Sequence, residues 1–334
     1  MKNKKYKVIN KKMKKKIERK IKMEFNHISV LKNESIEGLN IQPNGIYVDC
    51  TLGGGGHSLE IVSRLKNGRL ICFDKDKEAI AFAKTRLEKY LDKITFINDN
   101  FANIKVRLQE LGIEKVDGIL ADLGVSSYQL DNGDRGFSYR YDHRLDMRMN
   151  QDQKLSAFEV VNNYSEKDLQ RILFNFGEEK NTFQIVKKIV KQREIKPIET
   201  TFELRDIVVS SYPPKMQNKP ALCNKVFQAI RIEVNGELED LKVLDDFIDL
   251  LAPKGRLCVI TFHPLEDRMA KTVFKLHATD CICPPHFPKC VCGHHSDIIL
   301  VTKKPIVPTD NEMLGNPRSA SAKLRIVEKI IQLY

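Results

Sequence analysis

The stretch Asp49-Cys-Thr-Leu-Gly-Gly-Gly-Gly-His57 follows a short apolar run, Ile46-Tyr47-Val48. Behind it, Leu59, Ile61, Val62 and Leu65 recur at helical spacing. Strand, glycine turn and helix together open a nucleotide site in an α/β sheet. Glycines let a ligand approach the backbone closely, and a helix N-terminus offers free N–H groups. The dinucleotide fingerprint G-x-G-x-x-G fits incompletely, because Ser58 stands at its third glycine.

Outward from this stretch, residues 69–73 read as a second strand. It ends at Asp74, about 20 residues past the glycines, where a carboxylate suits a ribose diol or caps the next helix. Residues 94–98 and 116–121 read as strands three and four, the latter ending at Asp122. Polar ends on four successive strands place a ligand crevice at their carboxyl edge.

Four stretches resemble the bacterial 16S rRNA (cytosine-N4)-methyltransferase family. They are Asp49-x-Thr-x-Gly-x-Gly-Gly-His57, Asp122-Leu-Gly-Val-Ser-Ser127-x-Gln129-Leu-Asp131, Arg135-Gly-Phe-Ser138 and Leu145-Asp-Met-Arg-Met149. Downstream, Phe227 to Leu238, Phe262-His263 with Leu265-Glu-Asp-Arg268, and Asn316-Pro-Arg318 match as well, so the likeness spans about residues 23–329. Pro264 and Ala320 depart from the family's usual Ser and Arg. The resemblance implies an α/β class I methyltransferase (Rossmann-like) fold, a seven-stranded mostly parallel sheet with an inserted helical subdomain. It also implies S-adenosylmethionine as methyl donor and a decoding-region cytosine of 16S rRNA, in the small ribosomal subunit, as substrate. By the same analogy Gly55, Gly56, His57, Asp74, Phe101, Asp122 and Gln129 hold the cofactor. Asp122 is also the catalytic candidate, orienting the target amine with Ser126 and Ser127 nearby. Arg135, Phe137, Arg144, Arg148 and Arg231 are the candidate RNA contacts, with Tyr139 as an alternative platform for the base.

Composition sets the limits. No apolar run reaches the roughly 18–20 residues that span a bilayer. The lysine-rich start lacks the apolar core of a signal peptide, so the sequence points to the cytoplasm. The net charge of +12 is concentrated in residues 1–22, which hold 12 Lys and Arg and one acid. The remainder carries 44 basic and 43 acidic residues, so an RNA surface has to come from local segregation of charge. The basic segment reads as an amphipathic RNA or membrane-surface arm, or as a solvated tail preceding a start at Met23.

The expected organisation is a basic tail (1–22), a first part of the methyltransferase core (23–130), the helical insertion (131–222) and a second part (223–334). Within the insertion, Ser165-x-x-Asp168 and the capping box Thr200-x-x-Glu203 each open a helix, with another over 181–194 between them. One helix over 225–251 and a strand over 256–262 resume the core. Segments near 298–302 and 322–327 are the last two strands, antiparallel by analogy. Cys281-x-Cys283 and Cys290-x-Cys292 form a Cys-rich loop that admits a structural zinc, plain reduced thiols or a redox pair. A homodimer is the oligomer left open.

Overall fold

The computed structural model describes residues 29–331 apart from Pro220, Pro285 and Pro288. The basic segment and Met23 lie outside the described residues. Seven strands form one sheet: β1 (Ile46–Asp49), β2 (Arg69–Phe73), β3 (Ile94–Ile97), β4 (Val116–Asp122), β5 (Leu251–Thr261), β6 (Ile298–Leu300) and β7 (Lys323–Lys329). Their order is β3-β2-β1-β4-β5-β7-β6. Strands β1 to β5 pair in parallel, and β7 runs antiparallel to both β5 and β6. Strand β6 therefore points the same way as β1 to β5. The last two strands are antiparallel to each other, as expected, and of the two only β7 is reversed relative to the rest of the sheet.

Alternation along the strands divides the apolar residues between two faces. Val48, Ile71, Ile119 and Val259 enter one cluster with Phe247 and Leu244, and Tyr47, Leu70, Leu120 and Cys258 enter the other with Ile61 and Leu31. Both faces are covered, which is why the central strands read as continuous apolar runs. Gly118 is part of that fit, since a Cβ there would come within 2.8 Å of the Tyr47 ring.

The buried residues of a third apolar cluster lie between Phe137 and Val234. Helices Glu166–Asn175, Thr182–Ile195 and Thr201–Ser210 contribute to it. The Ser165 and Thr200 side chains accept from the N–H groups of Asp168 and Glu203, as their spacing predicts. The expected single helix over 225–251 is broken. Helix Asn224–Asn235 ends at Gly236, whose φ of 64° is the left-handed stop that a residue without Cβ adopts easily. Helices Glu237–Asp240 and Leu244–Leu250 follow. Strand β5 starts at Leu251, ahead of expectation. An irregularity in its pairing with β4 absorbs Pro253 and Lys254, the latter at φ 64°.

Candidate active site

The glycine turn is held from beneath by Asp49, which is fully buried at the end of β1. Its carboxylate accepts the Thr51 N–H (3.1 Å) and the Ser58 hydroxyl (2.6 Å). Gly53 adopts φ 47°, and its N–H donates to Asp74 Oδ2 at 2.8 Å across the gap between β1 and β2. The other Asp74 oxygen accepts the Asp76 N–H at 2.8 Å. Burial raises the Asp74 pKa to about 6; the Asp76 and Gly53 N–H groups oppose the rise, and the charges of Asp76 and Asp49 add to it. Gly55, at φ 72°, precedes helix Gly56–Arg64 and backs onto Ala83 and Leu87.

A cleft of about 990 Å³ opens over the carboxyl ends of the strands. Gly56, His57, Asp74, Phe101, Asp122 and Gln129 all line it, whereas Gly55 is behind its wall. His57 is buried, its Nε2 is 3.1 Å from the Val30 carbonyl, and its Nδ1 is 3.7 Å from Asp122 Oδ2. Phe101 packs against the first apolar cluster, its ring 6.0 Å from that of Phe247. Asp122 receives a main-chain anchor, its N–H donating to the Thr51 hydroxyl at 2.7 Å. Its Oδ1 is buried without a hydrogen-bond partner. Burial pushes the Asp122 carboxyl well above the usual carboxylate range, and the charges of Asp49 and Glu266 push it further. An acceptor left without a donor is costly in a closed protein. The residue itself lines the cleft, where a ligand's N–H or O–H is a candidate donor for its carboxylate.

Gln129 is engaged at both ends of its amide. Oε1 accepts the Ser126 N–H (3.0 Å), closing a capping box, and Nε2 donates to Asp76 Oδ2 (3.1 Å). Asp76 is the residue the sequence reading passed over. It is buried, caps helix Lys77–Arg86 through the Glu78 N–H, and receives Arg135 at 2.7 Å as well as Gln129.

Three of the four arginines expected to contact RNA are engaged within the protein. Arg135 is buried, and besides Asp76 it donates to Glu78 (3.2 Å) and the carbonyls of Arg148 (2.9 Å) and Met149 (3.1 Å). Arg148 grips both oxygens of Asp146 and the carbonyls of Gln151 and Gln153. Arg231 forms a two-pronged pair with Glu237 at 2.8 and 2.9 Å on the cleft wall. A guanidinium carries five donors in one plane, so it can tie together a loop whose carbonyls have no regular partners. Arg144 stays exposed, 5.7 Å above the Phe158 ring. Phe137 and Tyr139 line the cleft, the latter edge-on to Phe227 at 5.2 Å.

Three further residues escaped the sequence reading. The Asn235 side chain bonds the main chain of Met147, Met149 and Arg231, stitching the insertion to the helix before Gly236. A polar residue within an apolar helical repeat was the available signal. Glu237 and Glu266 line the cleft beside Arg231 and His263, and both lay inside quoted motifs. Glu266 Oε2 accepts the N–H groups of Phe262 (2.8 Å) and His263 (3.2 Å), while the Glu266 N–H points at His263 Nδ1. Burial pushes the Glu266 carboxyl up, but the His263 ring, Arg231 and the Phe262 N–H outweigh it and hold it below its usual value. The cysteines of the Cys-rich loop come together past the other end of helix Pro264–His277, which is itself about 21 Å long at 1.5 Å per residue.

The reversed β7 in an otherwise parallel sheet, the glycine turn after β1, the carboxylate ending β2 and the cleft beside Asp122 define a class I S-adenosylmethionine-dependent methyltransferase. Residues 24–330 match the MraW methylase family, and the chain belongs to that family. It is 54% identical over 312 residues to the ribosomal RNA small subunit methyltransferase H of Finegoldia magna, covering 92% of this chain and all of that one. The enzyme of the same name from Clostridioides difficile is 52% identical over 311 residues, with coverage of 92% and 100%. Among solved structures, an rRNA methylase from Streptococcus thermophilus matches at 12% identity and a TM-score of 0.40, covering 91% of this chain and 99% of that one.

Proposed function

We propose that this chain methylates the N4 amine of a cytosine in the decoding region of 16S rRNA, with S-adenosylmethionine as donor. Family membership and the names of its relatives support the reaction class and the ribosomal substrate. The observation that carries the site assignment is the unpartnered Asp122 oxygen at the end of β4, beside the glycine turn and opposite a second polar wall.

The donor, when bound, supplies an electrophilic methyl group on a sulfonium sulfur. Asp74 is the residue for its ribose hydroxyls, Phe101 for its adenine, and Gly56 with His57 for its methionine end. Gly55 sets the turn from behind, and Gln129 fixes the Ser126 turn and Asp76. A cytosine amine is a weak nucleophile, because its lone pair is delocalised into the ring. Asp122 holds that nitrogen in place by accepting one of its hydrogens; positioning of this kind supplies up to about 7–11 kcal/mol in ideal cases. The base has to leave its stack, and Phe137 or Tyr139 offers an aromatic surface for it.

A ribosomal RNA substrate supports a cytoplasmic location, and no described helix is long and apolar enough to cross a membrane. A homodimer belongs to the same reading. The edge strand β6 exposes Ile299 and Leu300, apolar side chains that a second copy can cover. Light scattering of the purified chain reads the oligomer directly. The reaction is tested with labelled S-adenosylmethionine and small subunits from a strain lacking the gene. The expected product is N4-methylcytidine at one 16S position, found by mass spectrometry of digested RNA. Label on another base, or none from a folded protein that binds the donor, overturns the reading.

A further inference from the structure

We propose that Cys281, Cys283, Cys290 and Cys292 bind one zinc ion as a closed four-thiolate site, and that this ion takes the place of a hydrophobic core for the segment joining helix Pro264–His277 to β6.

The first argument is geometric. The Cys281 and Cys290 sulfurs are 3.5 Å apart, Cys290 and Cys292 3.5 Å, and Cys281 and Cys292 3.9 Å. All four sulfurs lie within 4.8 Å of one another. Zinc–sulfur bonds of about 2.3 Å in a tetrahedron put neighbouring sulfurs about 3.8 Å apart. A disulfide needs about 2.05 Å, so no pair here is bonded. The spacing fits a single ion surrounded on four sides.

The second argument is the direction of the main-chain donors. The Val291 N–H points at Cys283 Sγ at 3.4 Å. Cys281 receives the N–H of Cys283, and Cys292 receives those of Ile282 and His294. Main-chain N–H groups aimed at sulfur are the outer contacts that orient metal-binding cysteines. His294 is not a competing ligand on its Nε2 side, which is 3.0 Å from the Leu276 carbonyl.

The third argument is what the segment lacks. No described residue from 279 to 297 is buried or belongs to any of the three apolar clusters. Its apolar side chains Ile282, Phe287 and Val291 are more than half exposed. Outside the four sulfurs, its order rests on contacts such as Asp280 with Ser296. A segment without a core needs another source of cohesion, and small metal sites supply it. With four protein ligands and no open position, the ion's role is structural. The inference stands apart from the choice of base methylated in the cleft.

The test is metal analysis of the full chain, untagged and grown with zinc in the medium. About one zinc per chain is expected, released by a mercurial thiol reagent and followed with a colorimetric zinc indicator. A Cys290→Ser/Cys292→Ser double variant loses the zinc and becomes susceptible to proteolysis between residues 278 and 297, while donor affinity stays within about twofold. The wild-type release needs no variant, so a misfolded variant does not shield the proposal. Less than about 0.1 zinc per chain, zinc retained by the double variant, or iron in place of zinc overturns it.

Discussion

The two walls of the cleft use charge in opposite ways. On the wall built by β1, β2 and β4, carboxylates keep hydrogen-bonding capacity in reserve. Asp122 leaves an oxygen unpartnered, and Asp74 has only one main-chain donor on each oxygen. On the insertion side, three of the arginines that look most like nucleic-acid contacts are already engaged within the protein, and of these only Arg231 lines the cleft. Arg135 and Arg148 tie carboxylates to main-chain carbonyls, and Arg231 pairs with Glu237. The lesson is that an arginine within a motif is evidence of a demanding environment, which can be a ligand or the protein's own main chain. Phe137, Tyr139 and the exposed Arg140 line the cleft on that side.

The sharpest way to break this contrast is Arg135→Ala. If Arg135 is the tie of the insertion wall, its loss leaves Asp76 buried beside an emptied pocket. Removing one partner of a buried pair costs about 3–5 kcal/mol. Denaturant unfolding measures it, and unchanged stability with weakened RNA binding would return Arg135 to the RNA surface. Next in size is Asp122→Asn, which keeps the shape and changes what the oxygen can accept. Turnover falls roughly 100-fold, as for a small misplacement of reacting groups, while calorimetry finds donor affinity nearly unchanged. A parallel fall in affinity makes Asp122 a cofactor residue alone.

Asp74→Asn comes third. Donor affinity drops about tenfold to a hundredfold, or about 1–3 kcal/mol, from polar contacts left unmade. The same residue gives a pH signature. Its carboxyl titrates near 6 in the free protein, and hydroxyl donors favour the charged form, so binding lowers that value. Affinity therefore weakens as pH falls through 6 and is flat above it; calorimetry from pH 5 to 8 shows the slope, and Asp74→Asn removes it. Smallest is Gln129→Ala, where the two walls meet. Loss of its two internal hydrogen bonds lowers stability by about 1–2 kcal/mol. A large loss of donor affinity with stability intact would instead give Gln129 a direct contact.

The contrast also marks what was legible in the residues. The glycine turn, the strand ends at Asp74 and Asp122 and the caps at Ser165 and Thr200 are local devices, and local chemistry declares them. The stop at Gly236 was local too, but an unbroken apolar repeat on both sides hid it. The start of β5 was obscured by Pro253 and Gly255, which read as a turn until pairing with β4 tolerates them as an irregularity. The inward turn of Arg135 was not legible. It depends on Asp76, 59 residues earlier in the chain and brought near only by the fold.

The third apolar cluster has a consequence for the order of assembly during synthesis. Strands β4 and β5 are neighbours in the sheet, yet residues 123–250 separate them in the chain. Closing so long a loop from an unstructured chain is slow and leaves the open edge of β4 waiting for a partner. Because that cluster draws on residues 125–234, it can condense before β5 has left the ribosome. A folded insertion holds its two ends near each other, so β5 emerges beside the edge it is to join. The helical wall of the cleft then serves first as a scaffold for closing the sheet, and only afterwards as part of an enzyme.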